Sequence, residues 1–286
     1  MRERFPKTKL MPIYQVIILA VVQAFTEFLP VSSTAHLVLI PWLFGWKDPG
    51  LTFDVALHAG TLVALLIYFI KDWIQIIGQG IGFSWGHDPQ LRQNPGLLWL
   101  LAIASVPIGI VGYLFDKQAD TTWRQPYLIG ATLVLVGIVL WIADRRRIGD
   151  KSMAKVSWGD GIVVGIAQAF AVIPGVSRSG STISAGLFRD MNRETAARFS
   201  FLLSTPAIGA AVLKKAWDVH KEGGVPHDMR VPMALGIVVS GLLGALVIAF
   251  FLRYLRRSSL MPFVYYRIVF GIIVIALAAF FRFTAG

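Results

Sequence analysis

Three ionisable side chains stand in otherwise apolar surroundings: Glu27, His36 and Arg178. Hydroxyls crowd about them, Thr26, Ser32, Ser33 and Thr34 in one stretch and Ser177, Ser179, Ser181 and Thr182 in another. An ionisable group inside a membrane is costly and marks function by default. A guanidinium such as that of Arg178 suits bidentate contact with phosphate. A serine hydroxyl is a weak nucleophile until a neighbouring base activates it. Ser33 is the candidate nucleophile. Glu27, one to two helical turns before it, and His36, three residues after it, are the candidate acids and bases. The chemistry these residue types suit is binding of a phosphate or other oxyanion and reaction upon it.

These residues sit at two interruptions of apolar sequence. Ile13–Leu29 is apolar, breaks at Pro30, and becomes apolar again after His36 as far as Phe44. Gly161–Ile173 breaks at Pro174-Gly175 and turns apolar again after Thr182 as far as Phe188. Each half falls short of the about 20 apolar residues that a crossing needs. A re-entrant hairpin is expected at each, over 12–44 and 161–189, with its irregular tip buried in protein or lining a wet cavity. The second helix of each hairpin starts just after the break. Its N-terminus, capped by Ser or Thr, would offer free N–H groups and partial positive charge to an anion.

The rest of the chain supplies the frame. It has 286 residues, 56% hydrophobic and only 15% charged, with no cysteine, and its mean hydropathy is +0.65. That excludes a disordered tail, a disulfide scaffold and thiolate chemistry. Six runs read as full spans: Leu51–Ile70, Leu97–Phe115, Pro126–Ala143, Ala197–Leu213, Val231–Phe251 and Pro262–Phe283. The net charge of +11 reads as Lys and Arg at membrane edges, with no nucleic-acid partner. Gln23-Ala24-Phe25 recurs as Gln168-Ala169-Phe170, and Val31-Ser32 as Val176-Ser177. The expected fold is an all-α integral membrane protein of two inverted repeats, each a re-entrant broken-helix hairpin followed by three transmembrane helices. Repeat 1 covers 12–143 and repeat 2 covers 158–286, joined by a loop over 144–157 and preceded by an uncleaved extension, 1–11. Glu27 has Val172 as its counterpart, and Arg178 has Ser33. The fold is duplicated while the chemistry is not, which favours catalysis over a symmetric conduit. The dense clusters Arg145-Arg146-Arg147, Arg189, Arg193, Arg253, Arg256 and Arg257 place their side in the cytoplasm and open the first hairpin outward.

Blander readings stand beside these. Membrane Ser and Thr often bond only to a backbone carbonyl. His36 could be a packed histidine. His58 reads as structural or as a pocket liner, and His87, His220 and His227 lie in loops without a role. Arg178 could pair with Glu27 as a structural ion pair, although Ser-Arg-Ser-Gly at a helix start fits anion binding better. Metal is weakly signalled, since there is no ligand set at metal spacing. Glu27 with phosphate oxygens could hold Mg²⁺.

The strings Thr26-Glu27-Phe28-Leu29-Pro30-Val31-Ser32-Ser33-Thr34-Ala35-His36 and Pro174-Gly175-Val176-Ser177-Arg178-Ser179-Gly180-Ser181-Thr182, supported by Phe199-Ser200-Phe201-Leu202-Leu203 and Pro206, resemble the bacterial undecaprenyl-diphosphate phosphatase family associated with bacitracin resistance. The resemblance runs from about Met11 to the C-terminus. It implies hydrolysis of the terminal phosphate of the polyprenyl diphosphate carrier lipid, in the bacterial cytoplasmic (inner) membrane, at a site open to the periplasmic or outer face. It implies catalytic roles for Glu27, Ser33 and His36. It also implies substrate binding by Arg178, Ser32, Thr34, Ser177 and Ser179, and a divalent cation, carried as Mg²⁺. Some members have a glutamate where this chain has Gln23. Gln23 can bind substrate by hydrogen bonds, and Glu27 is left as the lone carboxylate. A lipid-phosphate transporter or flippase using the same anion site is the first alternative, and a non-catalytic channel or assembly subunit the second. A second copy of the chain remains open as a partner.

Overall fold

The computed structural model describes residues 11–146 and 149–284. The expected N-terminal extension, Met11 apart, lies outside the described residues, and so does Arg147. Among the described residues the chain is helical, with no strand and a single isolated bridge between Lys151 and Met191. The first hairpin is α1 (Ile13–Phe28) and α2 (Ser33–Leu43). There follow α3 (Leu51–Tyr68), α4 (Ile70–Gly80), α5 (Pro89–Arg92), α6 (Leu97–Leu114), α7 (Asp116–Asp120) and α8 (Pro126–Arg145). The second hairpin is α9 (Trp158–Ala169), continued by a 3-10 turn over Phe170–Val172, and α10 (Arg178–Phe188). The chain ends with α11 (Arg193–Lys221), α12 (His227–Leu255) and α13 (Met261–Thr284).

Six of these helices, α3, α6, α8, α11, α12 and α13, are long and apolar enough to cross a membrane, at the places the sequence predicts. The protein is a multi-pass membrane protein. Two helices outrun their expected bounds. α11 and α12 have 29 residues each, about 44 Å at 1.5 Å per residue, against a hydrocarbon core of about 30 Å. Their charged ends therefore stand beyond the apolar layer as continuous helix, which the apolar run alone does not reveal. α4 and α5 fill a stretch that carries no span signal. Gln75 of α4 anchors this segment through two bonds to the Asp88 backbone, at 2.9 and 3.0 Å.

Both hairpins are broken in the same way. α1 ends at an extended Leu29, where the following Pro30 excludes helical backbone. Ser32 (φ 76°) and Ser177 (φ 70°) then adopt the left-handed region and cap α2 and α10. Ser32 Oγ accepts from the Ala35 N–H and Ser177 Oγ from the Gly180 N–H. Such backbone costs roughly 1–3 kcal/mol in a residue other than glycine, so the surroundings must enforce it twice.

The helices pair in a pattern compatible with two repeats. α1 lies on α12 as α9 lies on α6, α3 packs on α12 as α11 packs on α6, and α8 packs along α13. Close approach rests on small residues. A Cβ on Gly60 of α3 would stand 2.3 Å from the Ile237 carbonyl oxygen of α12, and one on Gly165 of α9 would stand 2.3 Å from that of Ala104 in α6. On the face where the sequence shows basic clusters, many cations are paired. Asp160, fully buried, takes Lys151 and Arg189. Asp144 takes Arg193, and Arg198 bridges Asp72 and Asp88.

Candidate active site

The hairpin tips meet. Ser179 Oγ of the second donates to the Leu29 carbonyl of the first at 3.0 Å. This contact brings the first residue of α2, Ser33, and the first residue of α10, Arg178, to the same carboxylate. Ser33 Oγ donates to Glu27 Oε2 at 2.6 Å, and Arg178 forms an ion pair with Oε1. Gln23 Nε2 reaches Oε2 at 3.2 Å and Thr61 Oγ1 at 3.4 Å. The ion pair foreseen as a bland alternative therefore exists, inside a site that also holds the candidate nucleophile.

One more group touches Glu27. His58 of α3 places Nε2 3.2 Å from Oε2. Its Nδ1 lies 2.7 Å from the Asp54 carbonyl oxygen. A carbonyl only accepts, so Nδ1 carries a proton. The Nε2–Oε2 contact then needs a second proton between imidazole and carboxylate. His58 lines the cavity of this site, one of the two places the sequence allows it, and is also a proton-carrying group of the site, which the sequence does not suggest. The missed signal is a polar stripe at helical spacing, Asp54, His58 and Thr61, on one face of a membrane span.

His36 is not brought to this cluster. Its Nδ1–H donates to the Ser32 carbonyl at 2.7 Å, and its Nε2 accepts from the Tyr266 hydroxyl at 2.6 Å. Its ring stacks on Tyr266 and Phe270 of α13. Both nitrogens are engaged, on the side of α2 that faces α13. Thr26 and Ser181 follow the bland reading, each bonding a carbonyl of the preceding turn, although Thr26 also lines the cavity. Thr182 bonds the Arg178 carbonyl and also lies 2.6 Å from the Ser200 hydroxyl.

A cavity of about 230 Å³ opens at the cluster. Glu27, Ser33, Thr34, His58 and Arg178 line it, with the caps Ser32 and Ser177. Gln23 and Ser179 do not line it; they hold the groups that do. Its apolar wall comes from Ile108 and Gly112 of α6, Val172, and Ile208 and Ala211 of α11. The cavity extends to Asp116, Ala119 and Arg124, in the connection between α6 and α8. There Arg124 clasps Asp54 at 3.1 Å and Asp48 at 2.9 Å. Burial works against its charge, but the two carboxylates prevail and raise the pKa of the guanidinium above its ordinary value.

A divalent cation has little purchase on Glu27, whose two oxygens already face a guanidinium, an imidazole, an amide and a hydroxyl. Among the described residues no three His, Cys, Asp or Glu side chains gather. Asp54 is the better fit, since its Oδ1 is buried without a partner and the residue lines the same cavity. Mg²⁺ needs only one or two carboxylates when substrate phosphates and water supply the rest.

The family model described as bacitracin resistance protein BacA matches residues 16–273. The chain belongs to this family. Among its relatives, the undecaprenyl-diphosphatase of Pelotomaculum thermopropionicum is 46% identical over 269 residues, covering 94% of this chain and 98% of the relative. That of Moorella thermoacetica is 48% identical over 267 residues, covering 93% and 98%. The BacA-family match covers both hairpin tips, so the cluster at Glu27 lies within the shared part of the chain.

Proposed function

We infer that this protein hydrolyses undecaprenyl diphosphate to undecaprenyl phosphate and inorganic phosphate, returning the carrier lipid to cell-wall synthesis. The protein is an acid anhydride hydrolase of a polyprenyl diphosphate lipid, as the names of its relatives and its membership of the BacA family indicate. Those names favour hydrolysis over lipid-phosphate transport and over a non-catalytic subunit. The observation that carries the mechanism is Ser33 Oγ at 2.6 Å from Glu27, with Arg178 on the other carboxylate oxygen and all three lining one cavity.

In this reading the diphosphate enters beside Arg178, which directs its remaining N–H donors to phosphate oxygens. The amide-rich starts of α2 and α10 add positive potential from two sides. Ser33 Oγ attacks the terminal phosphorus as its proton passes to Glu27. The bond from phosphorus to the bridging oxygen breaks, and its electron pair leaves on undecaprenyl phosphate. His58, which carries protons on the cavity wall, is the acid for the departing oxygen. Water then attacks the phosphoserine and gives a proton to His58, now neutral, while Glu27 returns its proton to the departing Ser33 Oγ; inorganic phosphate is freed and both groups regain their starting state. A divalent cation bound at Asp54 would neutralise the charge of the diphosphate.

The cavity runs toward Asp116 and Arg124, away from the side of Arg189, Arg193, Arg253 and Arg256. With that basic side in the cytoplasm, the protein belongs in the cytoplasmic membrane with its site open to the outer face, and the two repeats are inverted. The test is release of phosphate from a short, soluble isoprenyl diphosphate by purified protein, with and without chelator. Wild type should release phosphate, and Arg178→Ala should lose about 100-fold or more in kcat/KM. No release by wild type with any divalent cation would overturn the reading.

A further inference from the structure

Among the described residues, the largest fully buried side chain is charged. Arg267 of α13 has no exposed surface, and among the described residues no carboxylate pairs with it. A buried charge costs several kcal/mol unless hydrogen bonds compensate. Here the compensation is entirely backbone. Arg267 Nη1 donates to the Pro30 carbonyl at 3.1 Å. Nη2 donates to the carbonyls of Gly175 at 2.8 Å and Val176 at 3.1 Å, and lies 3.5 Å from that of Thr132. Nε donates to the Leu133 carbonyl at 3.3 Å. Pro30 is the break of the first hairpin, and Gly175 and Val176 are the break of the second. One planar fork therefore joins both tips to α8.

Thr132 works beside it, its Oγ lying 2.7 Å from the Pro174 carbonyl oxygen, to which it can donate. Of the carbonyls so held, those of Thr132 and Leu133 belong to α8, while those of Pro30, Pro174, Gly175 and Val176 belong to irregular backbone outside the helices. The irregular ones lie one to three residues before the strained caps Ser32 and Ser177, which start the helices that carry Ser33 and Arg178. We propose that Arg267, with Thr132 at its side, is a positioning residue that fixes the two hairpin tips against each other and so sets the distance from the nucleophile to the phosphate-binding guanidinium. It touches no substrate, since it does not line the cavity.

A lysine keeps the charge but not the fork, so charge and geometry can be separated. The chain has no cysteine, so spin labels can be placed cleanly at Phe25→Cys and Phe170→Cys, two exposed positions on the separate hairpins. Arg267→Lys and Arg267→Met should both shift or broaden the label-to-label distance distribution. Both should lower kcat about 100-fold, the scale of an ångström-sized misplacement, with KM for the short isoprenyl diphosphate changed less than about threefold. Thr132→Val should act in the same direction and more weakly. An unchanged distribution in the Arg267 variants overturns the proposal, as does an altered one with native kcat. If neither Arg267 variant survives purification, Thr132→Val decides, and a native distribution there is fatal. The turnover readout rests on the phosphatase reading. If wild type releases no phosphate that reading fails, whereas the distances still report whether the fork holds the tips.

Discussion

At the scale of single residues, the structure places two histidines otherwise than their surroundings in sequence suggest. His36 lies in the hydroxyl-rich string, close to Ser33 along the chain, and that proximity makes it the apparent base. A helix turns by 100° per residue, and three residues carry His36 round toward Tyr266. His58 is remote in sequence and arrives from α3. We therefore expect His58→Ala to lower kcat about 100-fold or more. Tyr266→Phe, which removes the hydroxyl bonded to His36, should lower stability by about 1 kcal/mol and leave kcat within a few-fold. Steady-state kinetics with thermal unfolding in detergent checks both. A His58→Ala protein with native turnover would remove this histidine from the chemistry. For Ser33, quenched reactions with terminally labelled substrate should trap phosphoserine in wild type, and Ser33→Ala should form none.

At the scale of elements, the hairpin tips are held by contacts too tight for any added atom. Gly175 has φ +90°, and a Cβ there would stand 2.0 Å from Thr132 Oγ1 and 2.7 Å from the Ile129 carbonyl oxygen. Gly175→Ala should destabilise the fold by at least roughly 1–3 kcal/mol and depress turnover. Gly109→Ala, where nothing lies within 4 Å, should be silent in both assays. A Gly175→Ala variant as stable and active as wild type would show that the tip relaxes freely. Outside the spans, Asp88 ties α5 to α11. Its burial favours the neutral acid, but the bond from Arg198 and the N–H donors of Gln90 and Leu91 outweigh that and lower its pKa. A carboxyl lowered on folding stabilises above its unfolded value, about 3.9, and loses that contribution as pH falls through the folded value. The thermal-stability gap between wild type and Asp88→Asn should therefore be full near neutral pH and close progressively below about pH 4. A gap independent of pH would mean that the carboxylate is not what stabilises.

At the scale of the whole molecule, the cavity is polar where the hairpin tips meet and apolar along α6 and α11. That polarity suits a substrate with a charged head and a long isoprenyl tail, and the wall of Ile108, Gly112, Ile208 and Ala211 is apolar surface that the tail would meet. Ala211→Trp should raise KM for the full-length lipid by about tenfold or more, the order of a lost apolar subsite, with KM for a short isoprenyl diphosphate nearly unchanged. Equal effects on both substrates would place the tail elsewhere.

Much of this was legible before any coordinates. Long apolar runs admit only helices across a bilayer, because every backbone group must be satisfied within the segment, so six spans and two interrupted hairpins follow from the order of apolar runs and breaks along the chain. The pair of Ser32 and Ser177 follows from the repeated strings, and Glu27, Ser33 and Arg178 stand out as polar groups in apolar stretches. What composition could not decide is which side of a helix meets which neighbour. His58 on Glu27, His36 on Tyr266 and Arg267 across both breaks depend on how α3 and α13 are rotated and docked. Those rotations come from packing between elements far apart in the chain, for which local spacing carries no information.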